Sequence, residues 1–431
     1  MPLRSDWAIS REGFTFDTIL SLIKHTALDP RKSLPLYLAS LYTARGRQIA
    51  LTNPGLARWL LRAVYAGIAL RVKNFLDEGV SNNWVSDTYN WNKEIVVVTG
   101  GSDGIGMKAV TLLAERGIKV VVLDIQAPKY TAPPNVHYFH CDLANPNAIR
   151  ATCAEVKTAV GNPTILINNA GFARGKSILE TTDNDLRLTF QINSMCHYQL
   201  ARAFLPDMVA KNHGMVITVA SLAAYVTAPH LVDYAASKAA ALAFHEGLQA
   251  EIATVFGALK IRTVVVCQGY TKTALFEGFN KGDGFVEYPL DPETVAEAIV
   301  KAVLKGRSDH ICLPRGNSFI SGFAGWPVFL QGRIRKDTGK KMRAWKGRQV
   351  LQPSELGKLV KGEGELGGEK AEEVSGTAGG KAKEVVGSVK VMAKGLEESA
   401  FEEVQAVNDA AKRMEESAFE EVQNSGDVTA T

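Results

Sequence analysis

Cysteine is scarce in this 431-residue chain, which has five, at positions 141, 153, 196, 267 and 312. The number is odd and no CxxC spacing occurs. That excludes a disulfide framework and a thiolate zinc site, and it suits reduced, mostly buried thiols in a reducing compartment. Long uncharged runs are missing as well. None in the first 92 residues reaches the roughly 17–25 residues that a membrane span needs. Arg4, Asp6, Arg11, Glu12 and Asp17 would interrupt any signal-peptide core. With no zinc-finger spacing and no Lys/Arg–aromatic pattern, neither a metal nor nucleic acid is expected as a partner.

Charge of either sign is not in short supply, but it is unevenly placed. The net charge is +4; residues 353–431 hold nine Lys/Arg against seventeen Asp/Glu, which leaves +12 on residues 1–352. A basic main body is compatible with an anionic surface, lipid included.

The stretch that organises the chain is Thr99-Gly100-Gly101-Ser102-Asp103-Gly104-Ile105-Gly106. An apolar run precedes it and a helical pattern follows, from Met107 to Arg116. Strand, glycine turn and helix in that order make a phosphate site: glycine admits a pyrophosphate close to the backbone, and the helix's first N–H groups favour negative charge. A second β-like run ends in Asp124, 18 residues past Gly106. That is close to the ~20-residue spacing at which an acidic residue reaches the ribose hydroxyls of a dinucleotide.

From residue 93 to about 314 the pattern alternates strand and helix, with strands expected at 95–99, 120–123, 136–140, 165–167, 215–220, 261–266 and 310–313. This predicts an α/β fold, a doubly wound and mainly parallel Rossmann sheet. Runs such as Val120-Val121-Val122-Leu123 do not alternate, as befits strands buried on both faces. The strand at 215–220 delivers Ser221; Tyr234 follows thirteen residues later and Lys238 four after that. At i, i+4 the last two share a helix face, so the ammonium is expected to lower the phenol pKa. A phenol brought down from ~10 exchanges a proton with an alcohol or carbonyl. Ser221 would hydrogen-bond the same substrate oxygen.

Taken in order, these motifs resemble the short-chain dehydrogenase/reductase family over residues 93–315. The resemblance implies that Gly100, Ser102, Gly104, Ile105 and Gly106 line the cofactor turn. It places Asp142 and Leu143 beside the adenine, and Asn169, Ala170 and Gly171 in the signature after the fourth strand. It makes Asn193 the holder of a proton-relay water, and Ser221, Tyr234 and Lys238 the catalytic set. Gly269, Thr271 and Thr273 fall at the nicotinamide end. Where the family has Pro-Gly, this chain has Gln268-Gly269, and a looser loop is expected there. Asp124 implies NAD rather than NADP as cofactor.

Residues 290–314 resemble the hydroxysteroid and retinol dehydrogenase branch. That implies a hydrophobic alcohol or its ketone or aldehyde as substrate, and a place on the cytosolic face of the endoplasmic reticulum or a lipid droplet. A cytoplasmic enzyme is the alternative. Residues 1–92 read as a helical extension. Its segment 56–75 gathers Arg58, Arg62 and Lys73 within about 60° of one another, suited either to a membrane interface or to packing on the domain or in a homodimer. Residues 316–352 form an apolar stretch with a basic flank, eight basic residues and one acidic between Arg333 and Arg348. They read as a membrane contact or a flap over the substrate cleft. Residues 353–431 read as a low-complexity, largely disordered acidic tail, in which residues 396–405 recur as 414–423. A catalytically idle NAD-binding scaffold at a membrane is the competing function.

Overall fold

The computed structural model describes residues 3–5, 10–276, 284–285, 287–341 and 345. The acidic tail with its repeat, and part of the basic segment, lie outside the described residues.

Seven strands form one wholly parallel sheet: β1 Ile95–Thr99, β2 Lys119–Asp124, β3 Val136–His140, β4 Ile165–Asn168, β5 Met215–Val219, β6 Arg262–Gln268 and β7 Asp309–Leu313. Their order is β3-β2-β1-β4-β5-β6-β7. All seven expected strands are present, with ends differing by at most two residues. The order in which the chain adds strands reverses between β1 and β4, and the crevice at the carboxyl ends of those strands is where a doubly wound sheet binds ligands.

Strand residues alternate between two cores. Val96, Val98, Ile165 and Ile217 pack under α5 (Gly104–Ala114) and α10 (Pro292–Lys305). Val97, Leu166 and Val216 pack under α6 (Pro146–Ala159), α8 (Cys196–Lys211) and α9 (Val232–Thr254). Both faces are covered, which explains why the strands read as unbroken apolar runs. Helix α7 (Asp183–Phe190) passes into α8 through one π-turn, Gln191–Met195.

Before the sheet come four helices: α1 Phe16–His25, α2 Pro30–Tyr42, α3 Ala44–Thr52 and α4 Pro54–Ser81. Helix α4 buries only Val64 and Gly67. Gly67 lies so close to α2's approach that a Cβ there would stand 2.5 Å from the Leu28 carbonyl oxygen. The extension is clamped to the amino ends of the strands. Arg262, 1 % exposed, donates to the carbonyls of Asn82 (3.1 Å) and Val85 (2.5 Å), and Asn82 accepts from the Ser308 N–H (2.9 Å). Past β7, a 3₁₀ run (Arg315–Gly325) leads to α11 (Val328–Lys341). Asp17 of α1 accepts from the N–H groups of Arg315 and Gly316, both at 2.7 Å. No helix among the described residues is long and apolar enough to cross a membrane.

Candidate active site

The glycine turn is braced from the next strand over. Thr99 Oγ1 accepts from the N–H groups of Asn169 and Ala170, each at 3.0 Å, and Asn169 Nδ2 donates back to the carbonyls of Thr99 (2.9 Å) and Gly100 (3.2 Å). Glycine is required at Gly106: a Cβ would fall 2.1 Å from the Gly100 carbonyl oxygen and 2.6 Å from Asn169 Nδ2. Gly104 has φ +57, open to glycine at no cost. Asp103 caps α5 by accepting from the Gly104 N–H at 2.8 Å. At the end of β2, Asp124 accepts from the Ser102 N–H (3.0 Å) and the Gln126 N–H (3.1 Å), which aims its carboxylate at the turn.

Asp142 folds a tight turn by accepting from Ala144 N–H (2.9 Å), and the Leu143 carbonyl accepts from Gln191 (3.1 Å). Across the crevice, Gly269 donates to the Leu313 carbonyl (2.7 Å), and Thr271 pairs with Leu290 in an isolated bridge. Thr273 Cγ2 lies 3.6 Å from the place of a Gly104 Cβ, so the loop after β6 closes over the phosphate turn. At Gln268-Gly269 the strand pairing is continuous. Glutamine can pair as a strand residue where proline lacks a donor, so β6 runs on through Gln268, in register with Leu313.

A second cluster adjoins the first. Ser221, at the end of β5, donates to the Gln268 carbonyl (3.2 Å) and accepts from Ala223 N–H (3.1 Å). Tyr234 and Lys238 share one face of α9, and Lys238 Nζ lies 5.9 Å from the phenol ring centre while donating to the Val219 carbonyl (2.8 Å). Asn193 sits in the π-turn. Its amide accepts from Phe172 N–H (2.7 Å) and donates to the Phe172 carbonyl (2.8 Å) and to Ser237 Oγ (2.9 Å). Ser237 in turn donates to the Tyr234 carbonyl. Around Gly171 the two clusters meet: a Cβ there would stand 3.9 Å from Lys238 Nζ and 4.0 Å from Asn193 Oδ1. That strip of bare backbone suits a flat ring.

The electrostatics depart from expectation in one respect. Burial pushes Tyr234 up to about 12, and what draws it back down is its hydrogen bond with Ser221. The same burial lowers Lys238 to about 8. Desolvation dominates at both groups, so the expected downward tuning of Tyr234 by Lys238 is not seen.

Comparison with known proteins places the chain in a family. The sequence model described as "short chain dehydrogenase" matches residues 94–284. Dehydrogenase RED2 of Cochliobolus heterostrophus is 41% identical over 198 residues, spanning 45% of this chain and 75% of that one. Epidermal retinol dehydrogenase 2 of Mus musculus is 32% identical over 257 residues (57% and 80%). Human 17-beta-hydroxysteroid dehydrogenase 13 is 32% identical over 249 residues (56% and 80%). The chain belongs to the short-chain dehydrogenase/reductase family.

As a short-chain dehydrogenase/reductase it is an NAD(P)-dependent enzyme acting on CH–OH donors or the matching carbonyls. The residues present fit a dinucleotide. The turn packs so tightly on itself at Gly106 that only glycine fits, which brings bare backbone to the strand end, and Gln268 Oε1 is a buried acceptor with no partner among the described residues where the crevice opens.

Four participants escaped the motif reading. Lys129 pairs with Asp103 at 2.7 Å and brings a cation to the phosphate turn; its place five residues beyond Asp124 was a signal available in the sequence. Ser237, between Tyr234 and Lys238, holds Asn193. Phe276 meets Tyr234 edge-on at 6.0 Å, and Trp345 stacks on Phe276 at 5.3 Å. No spacing rule announces the last two.

Proposed function

We propose that this short-chain dehydrogenase/reductase interconverts a hydrophobic alcohol and its ketone or aldehyde, with NAD(H) as cofactor and Tyr234 as general acid/base. The observation that carries the reading is the convergence of Ser221, Tyr234 and Lys238 in a dry pocket against the bare backbone of Gly171. When bound, the nicotinamide ring exchanges hydride with the carbinol carbon. The protein's own part is the proton and the geometry. Tyr234, protonated at neutral pH, donates to the carbonyl oxygen in the reducing direction. In the oxidising direction Tyr234 first gives its proton to solvent, and the phenolate so formed, with the Lys238 ammonium as the nearest positive charge, takes the hydroxyl proton. Ser221 turns its hydroxyl from Gln268 to the substrate oxygen. Asn193, pinned on three sides, holds the π-turn backbone that faces a relay water.

Within the cofactor site we assign Gly100, Ser102, Gly104, Ile105 and Gly106 to the pyrophosphate. Asp124 goes to the ribose, Asp142 and Leu143 to the adenine, and Asn169, Ala170, Gly171, Gly269, Thr271 and Thr273 to the nicotinamide half. NAD is favoured because the Asp124 carboxylate repels a 2′-phosphate, while the charge of Lys129 is already matched by Asp103. A charged hydrogen bond is worth ~1.5–3 kcal/mol. The apolar substrate class rests on the aliphatic and aromatic surroundings of Tyr234 and on the retinol- and steroid-named relatives. We take residues 93–315 as the catalytic domain and residues 1–92 as an extension that rests on a lipid surface.

The test is a panel of apolar secondary and long-chain alcohols with NAD⁺ and NADP⁺, read by reduced-cofactor absorbance. Turnover of an apolar alcohol with a higher kcat/KM for NAD⁺ is expected. Equal or better efficiency with NADP⁺ would overturn the cofactor assignment. Small polar alcohols as the best substrates would overturn the substrate class.

A further inference from the structure

Tyr234 is sealed from water, 2 % exposed, and part of its seal comes from far outside the sheet. Trp345 stands 32 residues beyond the end of β7, in a segment whose neighbours in sequence include Arg343 and Lys346. Such a place suggests a solvated side chain, yet the indole is also only 2 % exposed. Its single polar atom is satisfied: Nε1–H donates to the Leu275 carbonyl at 3.2 Å. Its face stacks on Phe276, with centroids 5.3 Å apart and planes 24° from parallel. Phe276 presents its ring perpendicular to Tyr234 (6.0 Å, 90°) and to Tyr270 (5.7 Å, 86°). Ala173, Ala228, Leu231 and Leu275 complete this cluster around the phenol.

The approach of the chain to that point is held in place as well. Helix α11 leans on the loop that precedes α9, and at Gly339 a Cβ would stand 2.8 Å from Pro229 Cγ. The loop that carries Tyr234 into α9 and the helix that leads to Trp345 are therefore in close contact.

We infer that Trp345 is a specificity-positioning residue of the alcohol site: buried behind Phe276, it holds that ring beside Tyr234 as the apolar wall against which the body of the substrate packs. This rests on the reading of Tyr234 as the proton-exchanging group. The wall is aromatic and flat, so it rewards an extended apolar ring system beside the carbinol carbon and gives nothing to a small alcohol. Pockets of this kind discriminate by roughly 10–200-fold for a single methylene, and an indole removes far more surface than that.

The test uses the full-length protein with a polycyclic apolar secondary alcohol and with cyclohexanol. Trp345→Ala should lower the ratio of their kcat/KM values at least about tenfold, through KM of the polycyclic alcohol, with NADH affinity unchanged. Calorimetry on NADH-saturated protein should show the same loss in binding of the polycyclic alcohol, independently of turnover. Trp345→Phe should restore most of the preference and Trp345→Leu less, an ordering that also serves if the alanine variant does not fold. Equal losses for both alcohols, an unchanged ratio, or a preference that ignores the order Trp, Phe, Leu would each overturn the inference. An active Tyr234→Phe would instead overturn the acid/base assignment, while the binding series would still report on Trp345.

Discussion

Thr99 illustrates how one side chain organises the site: its hydroxyl ties two N–H groups of the β4 signature to the end of β1, and the phosphate turn is built on that brace. Single residues also set the pH response. His197 and His245 are buried, and Nδ1 of each lacks a partner among the described residues. Desolvation lowers His197 to about 3 and His245 to about 4. The unfolded chain binds protons on both as pH falls through about 6.5, whereas the folded protein does not until much lower. The unfolded state therefore holds more protons across that window. Stability is full above pH 6.5 and falls on acidification, by up to about 1.4 kcal/mol per pH unit for each histidine. Urea unfolding at a series of pH values checks this. His197→Phe, which keeps a ring against Phe244, should flatten the slope by about the share of one histidine. An unchanged slope would remove His197 from the account.

At the scale of elements, the π-turn, the glycine turn and α9 converge on the crevice, while α4 has another role. It leaves Leu56, Trp59, Tyr65, Ile68, Phe75, Leu76 and Val80 exposed, Trp59 and Phe75 each by 66 %. An apolar surface of that extent marks an interaction site, and the basic charge of the body favours an anionic one. Deleting the whole extension would be a poor test, because Arg262 would lose the carbonyls of Asn82 and Val85 and keep that of Leu259. Point charges on exposed side chains of α4, on more than one side of the helix, avoid this. The intact protein should float with anionic lipid vesicles, and Trp59→Glu with Phe75→Glu should leave it unbound while NADH binding persists. An intact protein that ignores vesicles and is dimeric without detergent, becoming monomeric on the same substitutions, would assign that surface to a homodimer instead.

Across the whole molecule, what could be read from sequence was local. Val120 to Leu123 announced a doubly buried strand, Gly106 a turn, and Tyr234 with Lys238 a shared helix face, because each depends on spacing along a few residues. Contacts made across long stretches of chain could not be read. The clamp of Arg262 on Asn82 joins residues 180 apart, and Trp345 reaches Leu275 across 70. The direction of the Tyr234 shift belongs to the same class. Phenol and ammonium lie where the helix period puts them, but the burial that raises the phenol emerges only when α9, the loop after β6 and Trp345 are assembled.

The central claim is that Tyr234 carries the proton of an NAD-dependent alcohol–carbonyl exchange. Tyr234→Phe keeps the ring, its packing against Phe276 and the cofactor turn, and removes only the exchangeable proton. Steady-state turnover of the best apolar alcohol, measured beside NADH binding by fluorescence titration, tests this directly. The account predicts a fall in kcat of about 10²–10⁴-fold with NADH affinity and thermal stability retained. A variant that binds NADH normally and keeps most of its turnover would contradict it.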